Sequence, residues 1–219
     1  PLLLSAASLY QRTNLTERSI ELYDRALAEE PDNLEALAGQ AENYTTMGFY
    51  SKARLFYDKF FALNPSAEPK YRARYANTFL RQRNYQDAFV NITMALTEEP
   101  NSPDFWLLSA KAARGLGRPQ EALKNIETAL LLAPERTDLL AHKALWLYEA
   151  GAYEASRQTA QQIARLDTNS QLALFLQAMD EYRLGNIKKS RQLMTAVSDG
   201  NKDSFTERVA EALLKQNAK

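Results

Sequence analysis

The sequence contains no cysteine, one histidine and only seven glycines in 219 residues. Without cysteine there is no disulfide framework, thiolate zinc site or cysteine nucleophile. With one histidine there is no imidazole cluster to hold a metal. The glycines read as spread among turns, so no phosphate-cradling glycine loop is present. No apolar run approaches the roughly 18 residues that span a bilayer, and no signal peptide is visible. Lys plus Arg equals Asp plus Glu at 27 each, so the chain as a whole has no pull toward nucleic acid or anionic membrane, and any charge preference is local. The lack of cysteine fits a bacterial cytoplasm or periplasm equally. The chain begins at Pro1 and enters a helical pattern at once, which reads as an excised segment or mature form and leaves a targeting signal, lipid anchor or further repeats upstream open.

What is present is a ladder. Ala7, Ala41, Ala76, Ala110, Ala144 and Ala178 are separated by 34, 35, 34, 34 and 34 residues. A second ladder, Ser19, Ala53, Ala88, Ala122, Ser156 and Ser190, follows 12 residues behind, again with every member small. A small residue returning at constant phase marks a tandem repeat, in which one core runs through stacked units. With 45% hydrophobic residues the chain can fill such a core. The units span about 1–33, 34–67, 69–102, 103–136, 137–170 and 171–204, read as a single solenoid domain over 1–219.

Each unit reads as two helices and a turn. In the second, Leu37, Ala41 and Tyr44 recur at helical spacing, Gly48 interrupts, and Ala53, Tyr57 and Phe60 resume before Pro65. Gly48, Gly117, Gly151 and Gly185 occupy equivalent turns, where a residue tolerant of positive φ ends the first helix. Asn14 and Arg83 replace glycine elsewhere, and because arginine tolerates that conformation poorly the third turn is expected to differ. Pro31, Pro65, Pro100 and Pro134 with their polar neighbours separate the units. The extra residue between Pro65 and Pro100 falls in the loop before Pro69, leaving the helices in phase.

These residues resemble the tetratricopeptide repeat. Leu37, Ala41, Tyr44, Ala53, Tyr57 and Pro65 fit its pattern in the second unit, and Trp106, Ala110, Gly117, Ala122, Ala129 and Pro134 in the fourth. The resemblance covers about 1–204 and implies an all-α, right-handed α-α superhelix of six helix-turn-helix repeats. Two departures stand out. The family's usual first-position glycine is alanine in all six units. The closing proline is replaced by Thr168 and Lys202 in the last two, which predicts altered junctions there. The tail is expected to form a capping helix over about 205–216: Ser204 and Glu207 have capping-box spacing, and Phe205, Val209, Ala212 and Leu213 form one apolar stripe. The other end opens on Leu2, Leu3 and Leu4 with no polar cap, which suits missing upstream repeats or a partner, including self-association.

Little points to catalysis. His142 lies one turn after Asp138, and this reads as an ordinary i,i+4 contact because no nucleophile or second base accompanies it. Glu29, Glu30, Glu98 and Glu99 read as solvated helix ends. No cofactor is expected. RNA reading by helical repeats is disfavoured by the balanced charge and by groove positions that vary in chemistry.

The resemblance further implies that the first helices line a concave groove, with unit positions two, five, nine and twelve facing it. The second unit offers Glu35, Ala38, Glu42 and Thr45. The third is basic, with Lys70, Arg72, Arg74, Arg81 and Arg83 around Asn77 and no acid on the helix, and Lys111 and Arg114 continue the trend. A partner's carboxylates would suit this zone. It is not the carboxylate clamp of chaperone-binding relatives, whose lysine and asparagine correspond to Leu4 and Ser8. Farther on, Leu145, Tyr148, Leu172, Phe175, Met179 and Tyr182 fall on the groove side and would suit an apolar segment. The expectation is a non-catalytic scaffold for a peptide or protein with acidic groups and an apolar stretch. A general likeness to periplasmic lipoprotein accessory factors of pilus or secretion-system assembly offers a narrower alternative.

Overall fold

A computed structural model describes residues 2–198. The predicted capping helix and Lys202 lie outside them. The described residues form twelve helices, arranged in two compact units that divide between Arg118 and Pro119. The first unit holds α1 (Leu2–Arg12), α2 (Thr16–Glu29), α3 (Leu34–Thr46), α4 (Tyr50–Leu63), α5 (Pro69–Arg81), α6 (Tyr85–Glu98) and α7 (Pro103–Gly115). The second holds α8 (Pro119–Leu132), α9 (Thr137–Glu149), α10 (Tyr153–Leu166), α11 (Gln171–Arg183) and α12 (Ile187–Ser198).

The alanine ladder explains why the helices pair. All six alanines and all six members of the second ladder are buried. Where the second ladder carries serine, the hydroxyl joins the two ladders: Ser19 Oγ donates to the Ala7 carbonyl at 2.9 Å, Ser156 Oγ to that of Ala144 at 2.9 Å, and Ser190 Oγ to that of Ala178 at 2.8 Å. Small side chains let the backbones approach closely enough for this bond, which satisfies a polar group inside the core.

The first helix of each pair ends in the same backbone conformation. Asn14, Gly48, Arg83, Gly117, Gly151 and Gly185 all adopt positive φ, between 59° and 84°. The next N–H then bonds a carbonyl five residues back, as from Phe49 to Tyr44 and from Asn84 to Phe79, the closure of a Schellman motif. The third turn therefore does not differ as predicted: Arg83 accepts φ 59° because this closure and the flanking helices hold it there. The Thr168 junction is likewise unaltered. Ser170 caps α11 by accepting from the Ala173 N–H, as Asn33 caps α3 and Ser102 caps α7; capping, not proline, restarts the helix.

Two glycines are not turn residues. A Cβ on Gly39 would lie 2.3 Å from the Tyr23 ring, and one on Gly115 would lie 2.2 Å from that of Tyr85. Each lets an aromatic ring of the preceding second helix lie against the backbone of a first helix. In the first unit α1, α3, α5 and α7 also touch in succession, forming one layer; in the second, α9 touches α11.

Candidate functional site

That layer carries an open cleft of about 500 Å³ in the first unit. Glu42 and Thr45 of α3, Lys70 and Asn77 of α5, and Asp104 and Leu107 of α7 all line it. Arg74 lines it as well, and its guanidinium pairs with the Glu42 carboxylate. Burial raises the Glu42 carboxyl above the ordinary range, against the pull of Arg74. Gln11 Nε2 lies 3.4 Å from Glu42 Oε2, so three successive first helices meet at one carboxylate.

The basic zone is thus partly neutralised. Arg74 is held by Glu42, and Lys70 pairs with Glu68 at 2.8 Å. Arg72 lies over the Phe61 ring at 3.9 Å, and Arg83 stands in a turn. A helix without acids receives its counter-charges from α3 and the preceding loop. Of the residues expected in this zone, the structure brings Lys70, Arg74 and Asn77 together. Arg81, in the last turn of α5, and Lys111 and Arg114 of α7 lie outside the cleft lining.

Beside it lies a second cavity of about 790 Å³, toward α1, lined by Gln11, Glu35, Ala38 and Tyr71. Glu42 and Arg74 line both spaces, so their ion pair is the partition between them. Beneath is an aromatic wall that the sequence reading missed. Tyr57 stacks on Tyr75 at 4.9 Å, Phe60 meets Tyr71 at 4.7 Å, and Tyr75 meets Phe79 at 4.5 Å. Tyr75 Oη donates to Asp58 Oδ1 at 2.6 Å. Its signal was the i,i+4 run Tyr71, Tyr75, Phe79. Lys70 and Arg74 both stand over the Tyr71 ring, at 5.1 and 5.5 Å, which holds the two cations beside that ring.

In the second unit the apolar candidates separate. Leu145, Leu172 and Tyr182 remain exposed. Phe175 and Met179 are half-buried against the Ala178, Met194 and Val197 cluster that joins α11 to α12. Tyr148 meets Tyr153 edge-on at 5.3 Å, with Arg183 over both rings. Asp138 is engaged by Arg136, Nη2 to Oδ2 at 2.6 Å, and that hydrogen bond lowers its pKa. The His142 ring lies 5.5 Å from that of Trp146.

Residues 107–170 match the family model of the tetratricopeptide repeat. Those residues are tetratricopeptide repeats, and the chain that holds them is an all-α repeat solenoid. Among solved structures, PilF of Pseudomonas aeruginosa superposes with a TM-score of 0.78 at 17% identity, covering 97% of this chain and 96% of that one. PilW, a widely conserved type IV pilus biogenesis factor, reaches 0.85 at 16% identity over 95% and 96% of the two chains. YrrB, a tetratricopeptide protein with an unusual peptide-binding site, reaches 0.66 at 17% identity over 87% and 97%. At these identities the likeness establishes the fold. No curated protein matches the chain in sequence. Among the described residues, no helix is long and apolar enough to cross a membrane.

Proposed function

We propose that this tetratricopeptide-repeat chain is a non-catalytic protein-interaction scaffold, and that the cleft between α3, α5 and α7 takes an extended segment of a partner carrying carboxylates. The observation that carries the reading is the cleft itself: an open space of about 500 Å³ with Lys70, Arg74 and Asn77 on one wall. Lys70 and Asn77 present donors to a carboxylate, and an acidic side chain would compete with Glu42 for Arg74. Arg81, Lys111 and Arg114 would contact the flanks of that segment. On the second unit, Leu172, Tyr182, Tyr148, Phe175 and Met179 would take a separate, apolar segment of a partner.

A random peptide library panned against the immobilised protein tests this. Selected peptides should be rich in Asp and Glu and should lose about tenfold or more in affinity for Lys70→Glu, equivalent to at least 1.4 kcal/mol, with helicity unchanged. Acid-poor peptides or equal affinities would remove the cleft from the model.

A narrower reading is favoured by the nearly end-to-end superposition on PilF and PilW: an accessory factor for assembly of a bacterial surface filament. Deleting the gene in its source organism should then leave cells without pili under electron microscopy. Normal piliation would discard this reading while leaving the peptide cleft standing.

A further inference from the structure

Two buried contacts at equivalent places in the repeat differ by one chemical group. Asn43 and Asp180 each stand two residues past a ladder alanine and 24 past a ladder serine. Asn43 Nδ2 donates to Ser19 Oγ at 2.8 Å, and that hydroxyl donates to the Ala7 carbonyl at 2.9 Å. In the second unit Ser156 Oγ donates to the Ala144 carbonyl at 2.9 Å and lies 2.9 Å from Asp180 Oδ2. A hydroxyl has one proton. When it is given to the carbonyl, as at Ser19 and Ser190, the hydrogen between Ser156 and Asp180 comes from the carboxyl group; an ionised Asp180 would instead draw the hydroxyl proton away from the Ala144 carbonyl.

The surroundings agree. Asp180 is 0% exposed, and its Oδ1 has no hydrogen-bond partner, a costly state for a carboxylate. The neighbouring Glu181 and, on α10, Glu154 oppose a second negative charge, while the Ser156 hydroxyl and Arg157 favour it. Arg157 is already bonded to Glu154 and Glu181. From α12, Lys189 is bound to Glu181 at 2.6 Å, and α9 presents the phenol of Tyr148. Burial first, and then the Glu181 charge, lift the Asp180 carboxyl to about 6.

We propose that Asp180 is a buried proton-binding site: its neutral carboxyl donates to Ser156 Oγ in place of the amide of Asn43, and loss of that proton loosens α11 from α10. The helix this proton secures also carries Leu172, Phe175 and Tyr182, so the apolar face of the second unit is tied to it.

Thermal unfolding of the full chain and of Asp180→Asn, at about pH 5 and about pH 8, tests the assignment. The two proteins should be about equally stable at the lower pH, and at the higher pH the native protein alone should fall by several degrees. Parallel behaviour, a variant less stable at the higher pH, or a variant that fails to fold would overturn it, because asparagine is the neutral isostere. Carboxyl-detected NMR of the native protein provides a second measurement. The signal absent from Asp180→Asn, or in its place the single aspartate resonance titrating highest, should have a midpoint near 6. If every aspartate titrates near the ordinary 3.8, the proposal fails.

Discussion

At the scale of single residues, the contact between α2 and α3 depends on a missing side chain. A larger side chain at Gly39 would meet the Tyr23 ring at 2.3 Å, and neither the ring nor the helix backbone can withdraw without opening the α2–α3 contact. Gly39→Ala should therefore destabilise by about 1–3 kcal/mol, the usual cost of overpacking, seen as a lower urea midpoint with an unchanged slope. Arg83 presents the opposite case. It holds φ 59°, a conformation that costs a side-chain-bearing residue about 1–2 kcal/mol. Arg83→Gly should raise the thermal midpoint, because the fold gains about 0.5–1 kcal/mol once the greater freedom of glycine in the unfolded chain is deducted. A fall would show that the Arg83 side chain makes a stabilising contact of its own.

At the scale of elements, α11 carries two adjacent carboxyls whose pKa values are pushed in opposite directions. Burial opposes the charge on Glu181, yet hydrogen bonds from Lys189, Asn186 and Arg157 prevail and hold its pKa down to about 2. Its contribution is present above the unfolded value of 4.5 and is lost as pH falls toward 2. Asp180 runs the other way. Its folded pKa, near 6, exceeds the unfolded 3.8, so its contribution is complete below 3.8 and is lost as pH rises through 6. Where the two windows overlap, both groups favour the fold. Chemical denaturation across a pH series should give greatest stability at about pH 5, with each arm worth on the order of 1–3 kcal/mol. Asp180→Asn should flatten only the alkaline arm, and Glu181→Gln only the acidic one.

At the scale of the whole molecule, 27 basic residues balance 27 acidic ones. Among the described residues several of these charges pair, as Arg74 does with Glu42, Lys59 with Asp32 and Lys143 with Glu127. Sequence-independent nucleic-acid affinity depends on releasing counterions from phosphates through unpaired cations. Fluorescence anisotropy should accordingly show no binding of single-stranded RNA at micromolar protein in moderate salt, and saturable binding would reverse this reading. The sequence by itself determined the period, the helix pairs and the four glycine turns. Each of these follows from local rules, since a small residue or a left-handed turn is needed at the same phase wherever helices pack closely. It did not reveal which charges were already taken. Arg74 meets Glu42 from 32 residues away, Lys70 is held from the loop before its own helix, and Asp180 depends on a serine 24 residues earlier. Only the tertiary structure decided these, because periodicity places a side chain on a face, whereas pairing depends on which side chains of the neighbouring helices reach it once they pack.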